Sequence, residues 1–257
     1  MDNKIESYGL EELHQSLLAA LNKLDQICRD NQIYYSLCGG TLLGAVRNKK
    51  FIPWDDDADL CMSREEYEKL YRIVSDLNDK TCRIDRTMLW VPRFIYKEGE
   101  KAVFVDIFVW DYISEIKWQR ILKINLLRFV QGMMKSKIDY QRYESIQKIL
   151  LFISYNFGKL FPKDTKRKMY EFISQKILLG KREHVHCSND TFQGLKYIFD
   201  KNYIEDYIDM EFENKIFMAN QRYEESLINY YGKDYLTPPP MAERKPAHQG
   251  MIETINK

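Results

Sequence analysis

Leu10, Leu13, Leu17, Leu21, Leu24 and Cys28 recur at three- and four-residue steps, the spacing of one buried helix face. The pattern predicts an amphipathic helix that ends near Asn31. Ile33-Tyr34-Tyr35-Ser36-Leu37-Cys38 is rich in aromatic and β-branched residues and predicts a strand. Gly39-Gly40 stops it, and a short helix is expected over Thr41 to Arg47. Lys49-Lys50 opens a loop, which Phe51-Ile52-Pro53-Trp54 carries towards a second short strand, Ala58 to Met62. Ser63, with Glu66 at the capping-box spacing, predicts the start of a helix buried along Tyr67, Leu70, Tyr71, Val74 and Leu77. Cys82 to Ile84 and Phe94 to Tyr96 read as strands. Ala102 to Trp110 is nearly continuously apolar, as expected of a central strand covered on both faces.

Beyond Ile116 the period changes to that of helices. Trp118, Ile121, Leu122, Leu126, Phe129, Val130 and Met133 form one stripe. Ile146, Ile149, Leu150 and Ile153 form another. Met169, Phe172, Ile173, Lys176 and Ile177 suggest a third after Pro162. The rest mixes strand-like pieces with a helix around Tyr223 to Tyr231, stopped by Gly232. The expected fold is α+β: a mixed-sheet core over 1–115, a basic helical insertion over 116–182, and a segment over 183–257 that returns to complete the active site.

The charge distribution sharpens this division. The 257 residues carry a net charge of only +1. Residues 117–182, however, hold 16 basic and 4 acidic side chains between two acidic flanks. The basic helices read either as a surface for acidic lipid headgroups, or as a solvated helical subdomain, or as a groove for an acidic donor or glycan. No apolar run approaches the ~20 residues that span a bilayer, and no secretory leader is apparent. Five cysteines without close-paired spacing favour a reducing compartment. The expected location is the cytoplasm, at the inner face of the membrane if the basic helices meet lipid. No feature points to nucleic acid.

The candidate chemistry lies in Asp55-Asp56-Asp57-Ala58-Asp59, four carboxylates in five residues. Such a cluster is costly unless something positive sits among it. On a strand, Asp57 and Asp59 share a face about 7 Å apart and can jointly hold a hard cation such as Mg2+ or Mn2+. Asp106 interrupts the most apolar strand, where a carboxylate without a partner is expensive. If the two strands are neighbours, Asp57, Asp59 and Asp106 converge. The competing reading is a solvated acidic loop with Asp106 serving a structural hydrogen bond. Gly39-Gly40-Thr41, between a strand and a helix, suits close approach of backbone amides to a phosphate. The order strand, Gly-Gly, short helix, acidic strand, later acidic strand is that of the nucleotidyltransferase fold.

The stretch from Gly39-Gly40-Thr41 through Arg47 and Pro53-Trp54-Asp55-Asp56-Asp57-Ala58-Asp59 to Tyr67-Glu68 resembles the LicD family, in the wider group that includes fukutin and the fukutin-related protein. The likeness extends to Val105-Asp106-Ile107-Phe108 and to a C-terminal block with Phe212-Glu213, Tyr230-Tyr231-Gly232, Pro238-Pro239-Pro240, Arg244 and His248. The resemblance implies metal-dependent transfer of a phospho-alcohol, phosphocholine or an alditol phosphate, from a CDP-linked donor such as CDP-choline. The acceptor would be a cell-surface glycan or its lipid-linked precursor. Asp57, Asp59 and Asp106 would hold the metal. Gly39, Gly40 and Thr41 would face the donor phosphates, with Arg47 and Arg244 as further donor contacts. Arg47 could equally pair with Asp55 or Asp56. Asp106 and His248 are candidates for the base that takes the acceptor's proton, and His248 reads equally as a surface residue. Nucleotidyl transfer to a small molecule and a non-catalytic role in glycan assembly are the alternatives. His184-Val185-His186-Cys187 carries zinc-ligand types without a fourth partner, so a plain loop is expected there.

Overall fold

The predicted leucine stripe turns inward along a single long helix, α1 (Glu11–Asp30), where Leu17, Leu21, Leu24 and Cys28 are buried. In the computed structural model, which describes residues 8–87, 90–135 and 145–246, Asn31 closes this helix, its side-chain amide donating to the Ile27 carbonyl at 2.8 Å. The strand that follows, β1 (Ser36–Leu37), is shorter than the apolar run predicts. α2 (Gly39–Asn48) begins at the two glycines rather than after them, behind an extended Cys38. β2 (Asp59–Ser63) leads into α3 (Arg64–Asp76). Ser63 Oγ accepts the Glu66 N–H at 3.2 Å, as its spacing predicts. The Glu66 carboxylate accepts from the Tyr34 N–H, also at 3.2 Å, which ties α3 to the approach to β1.

β3 (Cys82–Asp85), β4 (Arg93–Glu98) and β5 (Lys101–Ile113) form an antiparallel meander in which Arg93 faces Asp106. The strand order is β1-β2-β5-β4-β3. β5 is central and nearly continuously buried, as its apolar character demands. The α+β, nucleotidyltransferase-like core is completed by a hairpin, β8 (Tyr207–Phe212) and β9 (Lys215–Asn220), turned at Glu213 and Asn214 with φ of 51° and 58°. The Asn220 N–H donates to Ser36 Oγ at 2.8 Å, fixing the hairpin to β1. α7 (Tyr223–Tyr231) ends at Gly232, whose φ of 85° suits glycine.

The chain divides into two units. The first takes Met1–Asp85, Pro92–Phe108 and Tyr203–Lys257, and the second Arg86–Val91 and Val109–Asn202. Residues 183–202 thus fold with the helices, because the last residues of β5 pair with β6 (His184–Cys187), which in turn pairs with β7 (Ile198–Asp200). The second unit also contains α4 (Lys117–Met134), α5 (Ser145–Gly158) and α6 (Lys163–Lys176). Its core gathers Ile113, Ile124, Leu127, Val130, Met133 and Tyr170.

Two helix faces differ from the sequence expectation. On α4, Val130 and Met133 are buried as predicted, but Ile124 and Leu127 accompany them, while Trp118, Ile121 and Leu122 face solvent. On α5, Ile149, Leu150 and Ile153 are exposed and Leu151 and Ser154 are buried. The inward face of α4 even includes Lys123, fully buried, whose ammonium donates to the carbonyls of Tyr112 and Ser174 at 2.7 and 2.8 Å. Those acceptors offset the cost of burying a charge. Among the described residues, no helix is long and apolar enough to cross a membrane.

The segment His184 to Cys187, expected as a loop, is strand β6. Its zinc reading finds no support in the geometry. His186 is buried beside the Leu195 carbonyl, 3.3 Å from Nδ1, and the His184 ring lies 3.6 Å from Asp200. Burial drives the His186 pKa down to about 3.

Candidate active site

Alternation starts before β2. Asp56, Ala58 and Leu60 are buried, whereas Asp55, Asp57 and Asp59 are only partly so. This is the period-two pattern of an extended chain. Asp55 shares the partial exposure of Asp57 and Asp59, while Asp56 is buried. Ligand oxygens of Asp55, Asp56 and Asp57 lie within 4.8 Å of one another. Asp55 Oδ2 is buried without a hydrogen-bond partner. Burial first, then the charge of Asp57 and a hydrogen bond shared with it, and last the charge of Asp56, push the Asp55 pKa up to about 8.

The two glycines seat the acids. A Cβ on Gly40 would lie 2.1 Å from Asp55 Oδ2, and a Cβ on Gly39 would lie 2.4 Å from Asp59 Oδ2. Both carboxylates therefore sit over the first turn of α2, where the positive end of the helix favours negative charge. Gly39 also has a φ of +55°, a conformation that L side chains rarely adopt. Thr41 is fully buried, and its Oγ1 accepts the Asp59 N–H at 2.9 Å. In this structure Thr41 orients the start of β2.

Asp106 has the partner its burial requires. Arg93 Nε donates to Asp106 Oδ1 at 2.8 Å across the β4–β5 register, and the guanidinium lies 3.8 Å from the centroid of the Phe104 ring. The backbone of Asp106 does border the acidic segment, its N–H donating to the Ala58 carbonyl at 2.9 Å. The strands are thus neighbours, as convergence requires. Among the described residues, the carboxylate cluster is nevertheless formed by Asp55, Asp56 and Asp57.

A cavity of about 320 Å3 adjoins the cluster, lined in part by Gly40, Trp54, Asp55, Tyr231, Tyr235 and Arg47. Arg47 does not turn to Asp55 or Asp56. Its Nε donates to the Tyr235 carbonyl at 2.6 Å, its Nη2 contacts the same oxygen, and Nη2 also donates to the Thr237 carbonyl at 3.2 Å. A planar fork matches two carbonyls on an adjacent chain segment, so Arg47 holds the 235–237 wall of the cavity. Arg244 acts similarly at the mouth, donating to the Pro239 carbonyl at 2.9 Å while its guanidinium lies 5.1 Å from the centroid of the Trp54 ring. His248 lies outside the described residues.

Three supporting residues had no role assigned to them by the sequence. His14 Nε2 lies 2.7 Å from the Asp55 carbonyl, and its ring stacks on Phe51 at 4.6 Å. Glu213 accepts the Phe51 N–H at 2.9 Å, and its own N–H donates to the Lys49 carbonyl at 2.8 Å. Together they brace the loop ahead of the acids. The Tyr231 phenol is pushed far up by desolvation and then by the negative charge of Asp59, Asp55 and Asp57, although the residue as a whole keeps 44% of its surface exposed. Tyr231 lines the same cavity as Asp55. The tyrosine was visible only as part of a C-terminal block, with no sequence signal for its position.

Residues 32–148 match the family model described as LicD/FKTN/FKRP, nucleotidyltransferase domain. The chain is also 29% identical to the lipopolysaccharide cholinephosphotransferase LicD of Haemophilus influenzae over 263 aligned positions, covering 92% of this chain and 96% of that protein. The chain thus resembles the LicD family across the segment that carries the glycines and the acids, and a LicD protein along most of its length. A match of smaller extent relates it to an uncharacterised protein of Rickettsia typhi, 28% identical across 47% of this chain and 41% of that one. The family model spans both glycines and the whole acidic segment, while the cavity wall at Tyr231 and Tyr235 lies beyond it.

Proposed function

We propose that this chain is a LicD-type enzyme that transfers a phospho-alcohol, with phosphocholine as the first candidate, from a CDP-linked donor to a cell-surface glycan or its lipid-linked precursor. The relative from Haemophilus influenzae bears the name of a lipopolysaccharide cholinephosphotransferase and aligns over nearly all of both chains. The observation that carries the reading is the unpartnered, buried Asp55 Oδ2 within a tight carboxylate cluster at the edge of a cavity walled by Trp54 and Tyr231.

That cluster fits a divalent cation. Carboxylates this close repel one another, and an orphaned buried oxygen lacks the positive partner that its desolvation calls for. Asp55, Asp56 and Asp57, whose ligand oxygens lie within 4.8 Å of one another, would hold Mg2+ or Mn2+, with Asp59 seated beside Asp55 over the first turn of α2. A bound cation would offset the charge that builds on the phosphoryl oxygens and on departing CMP.

The chain's own residues supply the rest. Gly40 and the first turn of α2 present backbone to the donor phosphates, as glycine and a helix N-terminus allow. Tyr231 and Tyr235, which line the cavity, are aromatic partners for a quaternary ammonium, while the Trp54 ring already meets the Arg244 guanidinium. Arg47 keeps that wall in place through the Tyr235 and Thr237 carbonyls. The acceptor hydroxyl attacks phosphorus in line, its proton passes to a carboxylate of the cluster, and the bond to CMP breaks.

The decisive assay incubates the chain with Mg2+, CDP-choline and a lipopolysaccharide acceptor and follows CMP. CMP release that depends on acceptor, and that is lost in Asp57→Asn, supports the proposal. Nucleoside triphosphate consumption with pyrophosphate release, and no turnover of any CDP-alcohol, would replace it with nucleotidyl transfer. Absence of both reactions would leave a non-catalytic assembly role.

A further inference from the structure

We infer that the outward faces of α4 and α5 form a docking surface for an anionic lipid bilayer. The surface belongs wholly to the second unit, so it stands independently of the reaction assigned to the first. α5 carries five large apolar side chains in solvent: Ile149, Leu150, Phe152, Ile153 and Phe157, between 43% and 61% exposed. Its opposite face, at Leu151 and Ser154, is already buried in the unit. A helix apolar on both sides requires cover on both. α4 repeats the arrangement with Trp118, Ile121 and Leu122 outward, and Leu160 just beyond α5 is 73% exposed. Exposed apolar clusters of this kind mark interaction sites rather than ordinary surface.

Charge selects the occupant. At 100° per residue, Lys148 and Lys159 fall together on one margin of the exposed α5 face, and Lys117 takes the equivalent margin on α4. The surrounding stretch, 117–182, holds 16 basic and 4 acidic residues. Apolar side chains flanked by lysines match the layering of an anionic bilayer surface, with acyl chains beneath and negative headgroups above. A second copy of this chain would instead bring like charge against like charge. α5 has 14 residues, too few for the ~20 needed to span, so it lies along the interface.

A groove between α4 and α5 adds room below headgroup level. Its volume is about 320 Å3, and its walls include Leu122, Leu126, Phe129, Leu150, Leu151 and Phe192. Leu122 and Leu150 belong both to the groove and to the exposed face, so the two form one continuous apolar surface.

The test is flotation of the full chain with vesicles of phosphatidylcholine alone or mixed with phosphatidylglycerol. Recovery should require the anionic lipid and fall as salt rises. The double variant Phe152→Glu/Ile153→Glu should lose most recovery. Lys148→Glu/Lys159→Glu, which keeps the apolar face, should lose at least five-fold, since each basic residue near such a surface is worth roughly that factor. Phe152, Ile153 and Lys159 are exposed and Lys148 is half-buried, and circular dichroism of each variant checks that the fold is kept. Equal recovery on both vesicles would overturn the inference. So would a concentration-dependent dimer in sedimentation that Phe152→Glu/Ile153→Glu dissolves while no vesicle binds, because the face would then join two copies.

Discussion

The Asp55 carboxylate occupies the space where any side chain on residue 40 would begin: a Cβ on Gly40 would stand 2.1 Å from Asp55 Oδ2. The Gly-Gly pair and the acidic run, separate in sequence, are therefore two halves of one construction. Gly40 clears a place at the helix start, and the acid fills it.

Gly40→Ala should displace Asp55. The overlap calls for a shift of carboxylate or helix, at a cost of about 1–3 kcal/mol typical of overpacking. The expected result is a lowered melting temperature together with weakened Mn2+ binding, measured by scanning fluorimetry and by metal titration. Wild-type Mn2+ affinity in a folded Gly40→Ala protein would falsify the link between this seat and the metal.

Asp55 makes a pH prediction for the metal-free protein. Its folded-state pKa is raised from 3.8 to about 8, so between those values the folded chain holds a proton that the unfolded chain has released. Stability contributed by this site therefore falls as pH rises through that window. Asp55→Asn does not titrate and loses the penalty. The melting temperature of Asp55→Asn minus that of wild type should be small near pH 5 and grow towards pH 8. Saturating Mg2+ should narrow the gap by stabilising wild type alone. A difference that is flat with pH would show that Asp55 is ionised throughout.

Arg47 links residues 188 positions apart through the Tyr235 carbonyl. Replacing it with Ala leaves the 235–237 wall unheld, and losing hydrogen bonds to a charged group costs about 1.5–3 kcal/mol. Lys cannot reproduce the fork and should rescue only part of the loss. The readout is KM for the CDP-alcohol, expected to rise more than kcat falls, since the wall shapes the cavity without touching the acids. A change confined to kcat would place Arg47 in the chemistry.

How much was legible follows from the range of each interaction. The period-two run from Asp57 to Leu60, the Ser63 cap and the apolar β5 depend on neighbours in sequence, and the elements they predict are present. His14 under Asp55, Arg47 on Tyr235 and Glu213 on Phe51 join residues 41 to 188 positions apart, and no local pattern encodes such pairs. The outward and inward faces of α4 and α5 could not be told apart, because both are apolar. Only packing decides which stripe is buried, and a lysine held by two carbonyls, Lys123, lies on the buried side.

The Arg93–Asp106 pair separates two roles that the sequence left joined. Asp106 lies one hydrogen bond from Ala58, between Asp57 and Asp59, yet its Oδ1 is engaged by Arg93. If the pair is structural, Arg93→Leu and Asp106→Asn each leave a partly buried partner uncompensated and destabilise by about 3–5 kcal/mol. Arg93→Leu/Asp106→Asn together should then recover much of that loss, because neither charge remains. Metal titration decides the rest. Mn2+ affinity in the double variant should stay near wild type, whereas Asp57→Asn should abolish it. Loss of Mn2+ binding on Asp106→Asn, with the fold intact by circular dichroism, would make Asp106 a ligand that leaves Arg93 when the cation arrives, and the pair would be a latch on the metal site rather than a fixed brace.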